Sequence, residues 1–104
     1  MKVYLSGRMS GLPEMEWRLR FLQKKVLLEW DNEDITVVNP ADSIIARNPW
    51  LYRLVGYRLT LAYDLHFLKR CTHYAMVGDD WHQSRGARLE RLRARRWRIE
   101  ELKD

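Results

Sequence analysis

Apolar and polar positions along this 104-residue chain fall into blocks that predict an ordered set of elements. Val3-Tyr4-Leu5 is a short run of β-branched, aromatic and aliphatic residues bounded by Gly7, which reads as a buried strand. Gly7-Arg8-Met9-Ser10-Gly11 follows as a loop with two flexible positions, and Pro13 suits the first position of a helix. From Glu14 to Trp30 the residues Met15, Leu19, Leu22, Val26 and Trp30 recur in steps of three or four, the spacing of an amphipathic helix. Asp31-Asn32-Glu33-Asp34 ends it. Ile35-Thr36-Val37-Val38 reads as a second strand, stopped by Asn39-Pro40. Asn48-Pro49 punctuates a loop, and a long helical pattern runs from about Trp50 to Arg70. Tyr74-Ala75-Met76-Val77 is the third strand, ended by Gly78. Asp79 to Gln83 form a loop, Ser84 caps a helix to about Arg96, and Arg98-Ile99-Glu100-Glu101 reads as a last short strand.

Strands alternating with helices predict an α/β fold with parallel strands and right-handed crossovers. Ligands of such sheets gather at the carboxyl ends of the strands. Here those ends are Gly7–Gly11, Asn39–Asp42 and Gly78–Ser84.

Length and composition narrow the picture further. The chain has room for one domain, residues 1–104, with one modest core. Apolar residues make up 46% of it, and five tryptophans and five tyrosines give a small core large side chains. No apolar run approaches the roughly 20 residues a membrane helix needs. The apolar part of MKVYLSG is too short for a signal peptide. Cys71 has no partner for an internal disulfide, so a reducing, cytoplasmic setting is expected, with Cys71 a packed thiol rather than a nucleophile. The net charge of +5 is uneven: residues 1–84 carry eleven Lys/Arg against ten Asp/Glu, residues 85–104 eight against four. A basic C-terminal segment suits an anionic ligand or a nucleic acid, and equally a solvated helix face.

The densest candidate chemistry lies between Asp79 and Glu90. A helix starting at Ser84 leaves the amides of Arg85, Gly86 and Ala87 free to hold a phosphate at the positive end of the helix dipole, and Gly86 lets a ligand approach the backbone. Glu90 has only small neighbours, Gly86, Ala87 and Ala94, on its face and can project into a cavity. A solvent-facing Glu90 paired with Arg93 is the simpler reading from spacing alone. Asp64 lies inside the long helix near Leu61, Phe67 and Leu68, where a poor helix former needs a reason, either a site or an exposed helix edge. Two carboxylates on separate helices facing one crevice would suit glycosidic chemistry. Tyr4 either hydrogen-bonds such a carboxylate or is a core tyrosine. His66, His73 and His82 lack zinc-site spacing, so no metal and no cofactor is expected. The first loop lacks the Lys-Ser/Thr end of a Walker sequence.

Several of these pieces together resemble the nucleoside 2-deoxyribosyltransferase superfamily, and within it small uncharacterised domains of phage and bacterial genomes. They are Lys2-Val3-Tyr4-Leu5-Ser6-Gly7 with Met9-Ser10-Gly11, Val38-Asn39-Pro40-Ala41-Asp42, Asp64-Leu65-x-x-Leu68 and Trp81-x-x-Ser84-Arg85-Gly86-Ala87-x-Leu89-Glu90. They occur in the superfamily's order across nearly the whole chain. The resemblance implies a three-layer flavodoxin-like (Rossmann-like) fold with a four- or five-stranded parallel sheet, and cleavage of an N-glycosidic bond. It implies Glu90 as the nucleophile at the sugar C1′, Asp64 as the carboxylate that helps protonate the leaving base, and Tyr4 as the tyrosine that orients the nucleophile.

The same resemblance gives Ser84 the contact to the 5′ end of the substrate. Transferases acting on nucleosides carry aspartate there, and the 2′-deoxynucleoside 5′-phosphate N-hydrolases carry serine, which suits a phosphate monoester and water as acceptor. Gly7, Arg8, Met9, Ser10, Gly11, Asn39, Asp42, Trp81, Arg85 and Gly86 are the remaining expected substrate contacts. The hydrolases carry an arginine where this chain has Ser10, and their Gly-x-Pro step before the last strand is missing. A homodimer is implied. There are two other readings: a nucleotide-binding module without turnover, which shares the pocket and needs only Ser84, Gly86 and the first loop, and an Arg-rich nucleic-acid binder built on Arg91, Arg93 and Arg95 with Trp97 as a stacking surface. The last ranks lowest because it leaves the other site residues unexplained.

Overall fold

A computed structural model describes residues 1–9, 11–43 and 48–103. Its elements are β1 (Lys2–Gly7), α1 (Glu14–Asp31), β2 (Thr36–Val38), a 3-10 turn (Pro40–Asp42), α2 (Pro49–Lys69), β3 (His73–Val77), a second 3-10 turn (Trp81–Gln83), α3 (Arg85–Arg96) and β4 (Glu100–Glu101). The four strands form one parallel sheet in the order β2-β1-β3-β4. This is the order of the flavodoxin-type sheet, whose ligand crevice lies at the carboxyl ends of β1 and β3.

The sheet is covered on both faces, so its central strands are buried along most of their length, as parallel strands are. Val3, Leu5, Ala75 and Val77 face one way and pack with Phe21 and Leu28 of α1 and with Ala41. Tyr4 and Tyr74 face the other way and pack with Leu68 of α2, Cys71 just after it, Ala94 of α3 and Ile99. Gly7 ends β1 where β3 approaches closely: a Cβ on it would lie 2.8 Å from both the Cβ and the carbonyl oxygen of Val77. Its smallness therefore serves the pairing of the two central strands.

Three details depart from the sequence reading. The apolar stripe Met15, Leu19, Leu22, Val26, Trp30 of α1 faces outward, and the sheet side is Trp17, Phe21 and Leu28. Helix α2 is broken at Gly56, whose φ of 79° and ψ of 174° suit only glycine. Arg98 belongs to the turn after α3 rather than to a strand. It stands at φ 59° with its amide on Arg95 O (3.1 Å) and the next amide, of Ile99, on Ala94 O (2.9 Å). That is the bonding of a Schellman cap, with arginine where glycine is usual.

Candidate active site

Residues two apart on a strand share a face, so Tyr4 and Ser6 of β1 both point toward α3. There they meet Glu90. The Ser6 hydroxyl donates to Glu90 Oε1 at 2.8 Å, and the Tyr4 hydroxyl donates to Glu90 Oε2. Glu90 can reach the strand because the same helix face carries Ala87 and Ala94, which are fully buried and leave room. Its side chain is 7% exposed, so the solvent-facing alternative, with Arg93 as partner, does not apply. Burial pushes the Glu90 carboxyl up to about 7, against the opposing pull of the Tyr4 and Ser6 hydrogen bonds. Each oxygen accepts one of these bonds, and a carboxylate oxygen has two lone pairs, so each keeps one more acceptor position. Tyr4 is itself raised well above the usual tyrosine value, by burial first and by Glu90 second, and stays a neutral donor.

Asp64 of α2 is half-buried beside this group. Burial raises its carboxyl to about 8, with the charge of Glu90 adding to the effect. Both carboxyls are thus raised, and the two share their protons as one interacting pair.

Asp64 also lines a cleft of about 120 Å³, with Asn39, Asp42 and Ser43 after β2, Tyr63 and Phe67 of α2, and Tyr4. Asn39 shapes the rim by accepting the Ala41 amide at 3.0 Å, which caps the 3-10 turn. A whole-ligand pocket is commonly about 300 Å³ or more, so this space holds one ring rather than a complete nucleotide.

The second cluster of expected residues lies at the ends of β1 and β3. Ser84 caps α3, its Oγ accepting from Ala87 N at 3.2 Å. Ala87 is therefore not available to an anion, which leaves the amides of Arg85 and Gly86 at the helix start. Arg8 Nη1 reaches Asp80 (3.5 Å) and Gln83 (3.3 Å), and its guanidinium packs over Gly11, which has φ 81°. Arg20 Nη1 holds both oxygens of Asp80 at 2.9 Å, keeping that carboxyl below the usual range. Trp81 carries the Arg91 guanidinium 4.7 Å over its ring.

The sequence-derived set thus divides. Tyr4, Asp64, Glu90, Asn39 and Asp42 meet around the cleft or directly behind it. Arg8, Gly11, Trp81, Ser84, Arg85 and Gly86 belong to the adjoining loops and the start of α3. Gly7 is used in strand packing, and Met9 is half-buried against the α1-side core. Ser10 lies outside the described residues. Ser6, Tyr63 and Phe67 were missed; Ser6 could have been found, since a polar residue two places after Tyr4 in a buried strand must share its face. Arg91 is held by Trp81 and Glu101 (3.3 Å), and Trp97 is half-buried under Lys69, so neither is laid out as a bare stacking surface. Among the described residues no group of three His, Cys, Asp or Glu side chains could hold a metal ion, and no helix is long and apolar enough to cross a membrane.

Residues 1–101 match a family described as a domain of unknown function, DUF4406. No curated protein and no solved structure matches the chain.

Proposed function

The chain belongs to the DUF4406 family, and we propose that it is an N-glycosidase that cleaves the base–sugar bond of a nucleoside 5′-monophosphate or nucleoside. The observation that carries this reading is the buried set Tyr4–Glu90–Ser6 with a second carboxyl, Asp64, beside it on the wall of the cleft. Glu90, ionised and held at both oxygens, attacks the sugar C1′ and forms a glycosyl ester. The C1′–N bond breaks with its electron pair on the base nitrogen, and protonated Asp64 supplies that nitrogen with a proton. Water then attacks C1′, the Asp64 carboxylate takes a proton from it, and Glu90 is released. The amides at the start of α3, with Arg85 and Arg8, favour a phosphate at the 5′ end. The single buried cysteine fits a cytoplasmic setting. The proposed unit is a homodimer, which the superfamily resemblance implies.

The test is free-base release, followed by chromatography, from a panel of deoxynucleosides and ribonucleosides with and without a 5′-phosphate. Wild type releases base from at least one of them, and Glu90→Gln releases none above background. Release from none, or an unchanged rate in Glu90→Gln, overturns the reading. Tight nucleotide binding without release would replace it by a binding module, a role to which the low exposure of Glu90 is also suited.

A further inference from the structure

Helix α1 is apolar on two opposite sides. At about 100° per residue, Trp17, Phe21 and Leu28 fall within about 40° of one another, on the sheet side. Met15, Leu19, Leu22, Val26 and Trp30 fall within about 80° on the other side. These five are exposed, from 49% at Leu19 to 86% at Trp30. A helix apolar on both sides belongs between two layers, and only one layer is present in this chain.

We infer that the outer stripe of α1 is the docking surface for a second copy of this chain, paired antiparallel about a two-fold axis passing beside Leu22. Four of the five stripe residues pair about one centre: Met15 and Trp30 stand equally far from the point between Leu22 and Gln23, and so do Leu19 and Val26. A two-fold contact about that centre makes each such pair meet twice, reciprocally. Antiparallel pairing sets Met15 against the partner's Trp30, a favourable sulfur–aromatic contact, and Leu19 against the partner's Val26. On one flank Arg18 and Glu29 lie on opposite sides of the same centre, about two residues out of register, so charges of opposite sign fall on the same side of the contact.

The area also suits a dimer. The exposed portions of the stripe, with neighbouring Leu27, amount to roughly 600–700 Å² per chain, the top of the range for a patch on a monomer. Two copies together bury roughly 1,200–1,400 Å², within the span of specific interfaces. The rims carry both signs, Arg18 and Lys25 with Glu16 and Glu29, where a helix lying on an anionic lipid surface carries mainly basic residues. The surface is tied to the cleft, since Arg18 bonds the carbonyl of Ala41 in the 3-10 turn that shapes the rim. The inference rests on the two-subunit part of the proposed function and not on the reaction.

The test is the oligomeric state of the full chain by size exclusion with light scattering, across a wide concentration range. Wild type is expected at twice the chain mass, and Leu22→Asp at the chain mass with its circular dichroism unchanged. Leu22→Cys, nearly on the axis, is expected to form an intermolecular disulfide under mild oxidation, whereas Leu54→Cys, exposed on α2, forms none; buried Cys71 gives little background. If Leu22→Asp stays dimeric and Leu22→Cys does not cross-link, this surface is wrong while the two-subunit reading stands. A wild type monomeric at every concentration overturns both, and base release is read separately from either result.

Discussion

Burying Glu90 costs stability in a way that pH exposes. Its carboxyl is raised from 4.5 to about 7 in the folded chain. The native state therefore binds the proton more tightly than the unfolded state, and unfolding becomes easier as pH rises between those two values. Stability from this group is fully present below about pH 4.5 and is lost as pH rises through 7. Worked through at about 1.4 kcal/mol per unit, the group lowers the unfolding free energy by about 2 kcal/mol between pH 5 and pH 8. Asp64, also raised, acts in the same direction. Glu90→Gln removes the titration but keeps the shape, and the Tyr4 and Ser6 hydroxyls can each donate to or accept from the amide. Urea unfolding at pH 5 and pH 8, followed by tryptophan fluorescence at constant ionic strength, measures the effect. Wild type should lose about 2 kcal/mol or more between the two, a midpoint shift of about 1 M. Glu90→Gln should lose less, and at pH 8 should be the more stable protein by about 2 kcal/mol. A wild type as stable at pH 8 as at pH 5, or a Glu90→Gln protein weaker than wild type at pH 8, refutes the account of a buried, high-affinity carboxyl.

Tyr4→Phe deletes a hydrogen bond that favours ionised Glu90, so the acid limb of the base-release pH profile, near 7 in wild type, should move upward; an unmoved limb contradicts that role. Gly7→Ala pushes a Cβ to 2.8 Å from Val77 in the central strand pair and should destabilise by about 1–3 kcal/mol, read as a fall in the urea midpoint without a change in slope. Arg98→Gly relieves the left-handed turn after α3 and should stabilise by about 0.5–1 kcal/mol, seen as a rise in melting temperature; a fall would mean that the cap is not strained.

The element order was legible because each segment carries its own local signal. Buried parallel strands read as short apolar runs, and Val3–Leu5, Val37–Val38 and Tyr74–Val77 are such runs. Ser84 announces the start of α3 by its side chain, and the cap is formed as its position suggests. The end of α3 near Arg96 was legible, but the turn after it was not, because that turn depends on a left-handed residue and the chain uses Arg98 where glycine would have signalled it. The side of α1 that packs was not legible either. Periodicity marks apolar stripes but not which one meets the sheet, and α1 has two. The outward stripe has more members, so it dominates the pattern, while Phe21 fits the small Ala75 and Val77 surface of the sheet and is the one buried.

At the site, what was legible followed from small residues around a charged one. Glu90 next to Gly86, Ala87 and Ala94 cannot be told from a surface glutamate by helical spacing, since both occupy one face. Strand parity would have separated them. Tyr4 and Ser6 lie on the face of β1 opposite Val3 and Leu5, and two hydroxyls buried side by side need an acceptor on the element that covers them. Among the residues of α3 with Ala87 and Ala94 on the same face, Glu90 is the acidic one. The site is therefore a place where local rules conflict with burial: a carboxylate in a core, a tyrosine and a serine in an apolar strand, an aspartate inside a helix. Tyr4 and Ser6 find their acceptor in Glu90 and Glu90 its donors in them, whereas Asp64 is only loaded further by the nearby charge of Glu90. Local rules are commonly broken in this way at functional sites, and Asp64 breaks one on the wall of a cleft that opens beside Asn39–Ser43 at the end of β2.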